Sequence, residues 1–142
     1  MSYSTILHVL SAKPEGGSAL YVDGIEVKTE GEKMQKIVEL SFLAGKHKSP
    51  WCGMINGVFF AKGYFNNKDD RGNEMSFSFC TNTHSPDEGK RAFLSEIKTI
   101  GYTANAETSK CLESQPSNNI YRSIGVVAIV IAILIVLLKI IQ

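Results

Sequence analysis

The chain has 142 residues, 44% of them apolar, with 15 Lys/Arg against 14 Asp/Glu and a net charge of +1. That length holds one domain with at most an appendage, which excludes a multidomain enzyme. The near-neutral charge excludes a histone-like basic protein, and 20% charged with 9% aromatic residues excludes a wholly disordered chain.

In chain order, residues 6–10 form the first strand candidate. Residues 19–22 and 25–28 flank Asp23-Gly24, a two-residue hairpin signal. The stretch 32–44 carries Met34, Ile37, Val38 and Phe42 at helical spacing and ends at Gly45, so a helix is expected there. Residues 51–55 lead through Asn56-Gly57 into 58–65, a second hairpin, and after a polar loop over 66–73 a further strand covers 74–81. Ser85-Pro86-Asp87-Glu88 supplies an N-cap, a proline at the first helical position and the glutamate of a capping box. The helix it opens carries Phe93, Ile97 and Ile100 on one stripe and stops at Gly101. The expected fold class is α+β: a small antiparallel sheet with one or two packed helices, followed by a single C-terminal transmembrane helix. Three parts follow, namely a soluble binding domain over 1–103, a polar linker over 104–120 and a membrane helix over 121–142.

The tail is the strongest signal. Residues 123–138 hold no charge, and twelve of these sixteen are Ile, Leu or Val. As a helix they extend roughly 24 Å at 1.5 Å per residue. Snorkelling by Lys139 lengthens the span to roughly 28 Å, close to the ~30 Å of membrane hydrocarbon. Twelve such side chains favour insertion by roughly 4–7 kcal/mol. Gly125, Ala128, Ala132, Ile135 and Lys139 follow at spacings of 3, 4, 3 and 4, a heptad stripe of mostly small residues suited to helix association. In a bundle, Lys139 would form a cationic ring at one mouth. A homo-oligomer is therefore expected, with a tetramer as one size that fits.

The N-terminus lacks the basic and apolar regions of a signal peptide, and the odd set Cys52, Cys80 and Cys111 suits a reducing compartment. The expected placement is a single-pass, tail-anchored inner-membrane protein with a cytoplasmic domain.

No enzymatic constellation stands out. His8, His47 and His84 have no neighbours at metal-ligand spacing, no C-x-x-C occurs, and Gly16-Gly17 is not followed by the lysine of a phosphate loop. No catalytic residue, metal or cofactor is expected. Strand alternation instead points to binding. Across strands 58–65 and 74–80, Phe59 and Phe65 with Met75, Phe77 and Phe79 make one face core, while Phe60, Lys62, Tyr64, Ser76 and Ser78 share the other. Aromatics interleaved with lysine suit single-stranded nucleic acid or nucleotides, whose bases stack and whose phosphates meet the cation. Lys46, Lys48 and Trp51 lie upstream of this strand and Arg71 lies in its loop, which completes the candidate ligand set. The same face becomes core or a subunit interface if another element covers it.

The terminal span over 123–138 and the strand Phe60-Lys62-Tyr64 give a layout that resembles the small membrane effectors of bacterial anti-phage systems, the Hailong type closest in outline. That resemblance implies a companion nucleotidyltransferase making an oligodeoxyadenylate that binds the soluble domain and holds an oligomeric channel closed. Loss of the ligand would then depolarise the cell in an abortive infection. The alternative from the residues is a tail-anchored adaptor or assembly protein with a peptide- or protein-binding domain.

Overall fold

The computed structural model describes residues 4–13, 17–113 and 136–139. The fold is α+β, built on one six-stranded antiparallel sheet in the order β3-β2-β1-β6-β5-β4. The strands are β1 (Thr5–Ser11), β2 (Ser18–Val22), β3 (Ile25–Val27), β4 (Trp51–Ile55), β5 (Val58–Lys68) and β6 (Glu74–Thr81). Two antiparallel runs, β1-β2-β3 and β4-β5-β6, are joined where β1 pairs with β6 along its whole length. Both two-residue turns expected from sequence are present. Asp23 and Gly24 have φ of 52° and 81°, and Asn56 and Gly57 have 50° and 78°, as a turn matching the strand twist requires.

Helices cover both faces. Helix α1 (Gly31–Leu43), followed by a 3-10 turn over Ala44–Lys46, packs Ile37, Leu40 and Ala44 on Ile6, Leu20, Phe60 and Cys80. On the opposite face, α2 (Pro86–Ile100) and α3 (Ala106–Glu113) bury Phe93, Ile97 and Leu112 against Leu7, Val9, Phe59, Ala61, Phe65, Phe77 and Phe79. The rings on this side form a chain: Phe65 stacks on Phe77 at 4.8 Å, Phe77 on Phe93 at 4.7 Å, and Phe93 meets Phe79 edge-on at 5.1 Å.

Helix α2 starts as its sequence predicts. The Ser85 hydroxyl accepts from the Glu88 amide at 3.4 Å, Pro86 occupies the first turn, and Gly101 closes the helix with φ 86°. The capping glutamate also accepts from the Thr83 hydroxyl at 3.1 Å, and Thr83 Oγ1 accepts from the Ser85 amide at 3.2 Å. The cap is therefore a relay tied to the end of β6.

Two expectations are corrected. In α1 the inward residues are Ile37 and Leu40, whereas Val38 and Phe42 point outward, 51% and 84% exposed. The second correction is larger. Residues 104–113, expected to begin the linker, belong to the folded domain. Phe65 forms a bridge with Ala104, the Asn66 amide donates to Thr103 O at 2.8 Å, and the Asn105 amide donates to Tyr64 O at 3.0 Å. Segment 103–105 therefore pairs with β5 beyond the point where β4 ends. Helix α3 then locks down through Thr108, whose Oγ1 accepts from the Tyr64 amide at 3.0 Å. Gly63 makes room for it, because a Cβ there would collide with the Thr108 side chain.

Among the described glycines, Gly89 of α2 leaves the least room for a side chain: a methyl there would overlap the Phe59 ring and its Cβ. Gly89→Ala is expected to lower unfolding stability by about 1–3 kcal/mol, as overpacking does. Gly45→Ala, which meets nothing within 4 Å, should leave it unchanged or slightly raised. Denaturant melts of the two variants against the parent check this.

Candidate functional site

The ligand face proposed from sequence is the one that α1 crosses, and cross-strand register sorts it into three rows. Ile6, Cys80, Phe60 and Gly53 form the first, His8, Ser78, Lys62 and Trp51 the second, and Leu10, Ser76 and Tyr64 the third.

The first row is closed. Phe60 is 0% exposed beneath Ile37, Leu40 and Ala44, so it cannot offer its ring to a base. Among the site residues expected from sequence, Phe60 is thus a core residue. The helix expected over 32–44 is the element that covers it.

The second row is bonded to the end of α1. The Ser41 hydroxyl donates to Ser78 Oγ at 3.1 Å. The Lys62 ammonium donates to Ala44 O at 2.8 Å and to His47 O at 2.6 Å. These carbonyls terminate the helical segment, where a cation satisfies groups that have no helical partner and meets the negative end of the dipole. Partial burial lowers the Lys62 pKa from its ordinary value. Lys62 is committed to holding the 44–47 turn on the sheet. His8 sits in the same row, 8% exposed, with its Nε2 unpartnered, and burial lowers its pKa.

Trp51 is committed as well. Its ring stacks on His47 at 4.4 Å and 3° between planes, and it lies over Gly53, where a Cβ would come within 2.8 Å of the indole. Lys46 and Lys48 flank the stacked histidine and are exposed. Lys62 holds the turn that carries them, and Tyr64, two residues further along β5, is half-buried. In the third row Leu10 is exposed, and Ser76 is half-buried like Tyr64.

Arg71 is not brought to this group. It occupies the β5–β6 loop beyond Lys68, about 20 Å along the strand from Lys62 at ~3.3 Å per residue. That loop is organised by Asp69, which accepts from the Ser11 hydroxyl at 2.6 Å and from the Arg71 and Asn73 amides at 2.9 and 2.8 Å. These bonds, Ser11 first, pull its carboxyl down to about 2. Gly125, Ala128, Ala132 and Ile135 lie outside the described residues, whereas Lys139 is described, exposed and helical.

Three features were missed from sequence. One is the exposed pair Val38 and Phe42. Another is Glu96, buried with its Oε1 accepting from the Gly24 amide at 3.0 Å and its pKa raised mainly by burial. The last is the contact between Cys52 and Cys111. Spacing carries no signal for the latter two, because each contact joins distant segments.

Among the described residues no group of His, Cys, Asp and Glu could hold a metal ion. Comparison with known proteins returns no matching family model, no similar curated protein and no similar solved structure.

Two outcomes check this geometry. Lys62→Ala should lower stability by about 1–3 kcal/mol, since two charge-assisted bonds are lost. A lysine reserved for phosphate would leave stability unchanged. For His8, the folded pKa lies below the unfolded value of 6.5, so the unfolded chain binds the extra proton first. Stability therefore falls as pH drops below about 6.5, and His8→Gln should flatten that fall between pH 7 and 5 in melts at each pH.

Proposed function

We propose that this chain is an oligomeric membrane effector: a cytoplasmic α+β domain carried by a C-terminal helix over 121–142 that self-associates into a pore. Its action would be membrane disruption in anti-phage defence. The observation that carries this reading is the apolar tail. Sixteen uncharged residues precede Lys139, and the described part of the tail, residues 136–139, is helical with Val136, Leu137 and Leu138 exposed rather than buried in the domain. Exposed aliphatic side chains on a helix need another apolar surrounding, and lipid supplies it. Among the described residues no helix is long and apolar enough to cross a membrane; most of the tail lies outside them. The stripe Gly125, Ala128, Ala132, Ile135 and Lys139 supports close helix packing with the lysine toward the axis.

The gating ligand would be a nucleotide or single-stranded oligonucleotide, supplied by a companion nucleotidyltransferase. Its site is redrawn from the sequence expectation. Lys46 and Lys48 provide the phosphate contacts and Tyr64 the stacking ring, while Phe60, Lys62 and Trp51 build the platform beneath them. A second reading, an adaptor with a peptide or protein ligand, is favoured by one observation: the outward apolar pair Val38 and Phe42 on α1.

Expression of the full chain in bacteria, followed with a potential-sensitive dye, tests the reading. The expected result is depolarisation and growth arrest, relieved by deleting 121–142 and altered in ion selectivity by Lys139→Glu. An unrelated membrane anchor that restores full function in place of 121–142 would establish the adaptor instead.

A further inference from the structure

Cys52 and Cys111 come from segments 59 residues apart and meet on the face of the sheet opposite α1. Cys52 lies in β4, buried at the sheet edge, and Cys111 lies on the last turns of α3. Both pack in the cluster around Phe59 and Leu112, and their thiols are within hydrogen-bonding contact. The two differ in access: Cys52 is buried, whereas Cys111 is half-exposed. Cys80 is on the other face, 1% exposed beneath α1, and takes no part.

We infer that Cys52 and Cys111 form a reversible dithiol–disulfide site that reacts with low-molecular-weight disulfides and, when oxidised, staples α3 to β4. The asymmetry of the pair assigns the roles. The Cys52 thiol lowers the Cys111 pKa by hydrogen bonding, while the Cys52 pKa is raised by the same bond and by burial. Cys111 is the attacking sulfur and Cys52 the resolving one.

Cys111 loses its proton to solvent and its thiolate attacks one sulfur of the small disulfide. That S–S bond breaks, one thiolate leaves and is protonated, and a mixed disulfide remains on Cys111. Cys52 then loses its proton and attacks the Cys111 Sγ, expelling the second small thiol. Two protein thiols are oxidised by two electrons and one disulfide is reduced to two thiols. The product closes a loop containing β5, β6 and α2, and it fixes the helix that precedes the tail in sequence. This chemistry does not depend on how residues 121–142 are used.

The test uses the full chain in detergent, equilibrated in glutathione buffers of increasing oxidised fraction, then acid-quenched, alkylated and mapped by mass spectrometry. The expected product is an intramolecular Cys52–Cys111 link with loss of two hydrogens, reversed by dithiothreitol and accompanied by slower hydrogen exchange in α3. Cys52→Ser should stop at a glutathione adduct on Cys111, and Cys111→Ser should give neither product. A wild-type chain that ends at the Cys111 adduct, or that links through Cys80 or between molecules, overturns the inference.

Discussion

The pairing of β1 with β6 is the constraint on which the rest depends. Without it the chain has two separate antiparallel runs, each with two open edges. With it, Thr5–Ser11 becomes an inner strand, and residues 5–9 are buried whichever way they point. A sheet whose centre is buried on both sides needs a layer on each face, and the chain supplies α1 on one and α2 with α3 on the other. The apolar residues of β1 and β6 alternate as they would in a half-exposed sheet only where Ser76 and Ser78 interrupt them, and of these two Ser78 is bonded to Ser41 near the end of α1.

Much of this was legible. Asn-Gly and Asp-Gly turns, the Ser-Pro-Asp-Glu cap and the alternation of Phe59, Phe65, Phe77 and Phe79 are local signals, and local signals name elements well. What they lack is partnership. Phe60 and Tyr64 differ by four residues on one face, yet the first is sealed and the second half-buried, because α1 and its following turn pack on the first. Nothing in the spacing of β5 encodes that packing. The helix α3 was hidden for a different reason. Its apolar content is small, and its anchor is a hydroxyl, Thr108, set into the space left by Gly63. A polar anchor of this kind reads in sequence as a linker.

Lys62 shows how the same residue types serve architecture instead of recognition. A lysine between two aromatics on a strand has the composition of a phosphate site. Here the two carbonyls at the end of α1 have the prior claim, because burying them without a donor would be costly. The cation is still part of the candidate site, though indirectly: it fixes the turn from which Lys46 and Lys48 project.

The segment over residues 103–105 carries a consequence for any encounter between this domain and another extended chain. Strand β5 is longer than its neighbour β4, so the backbone of Tyr64–Asn66 would lie unpaired at the rim had 103–105 not filled the place. An unpaired strip of that kind is a docking template for any extended chain, and proteins guard such strips against sticky encounters. In this domain the guard comes from the stretch just before α3, the same stretch from which the chain continues toward its apolar tail. Crowding tails together would bring many such guards to one place. The hold of 103–105 on β5 would then keep those strand edges from pairing between copies.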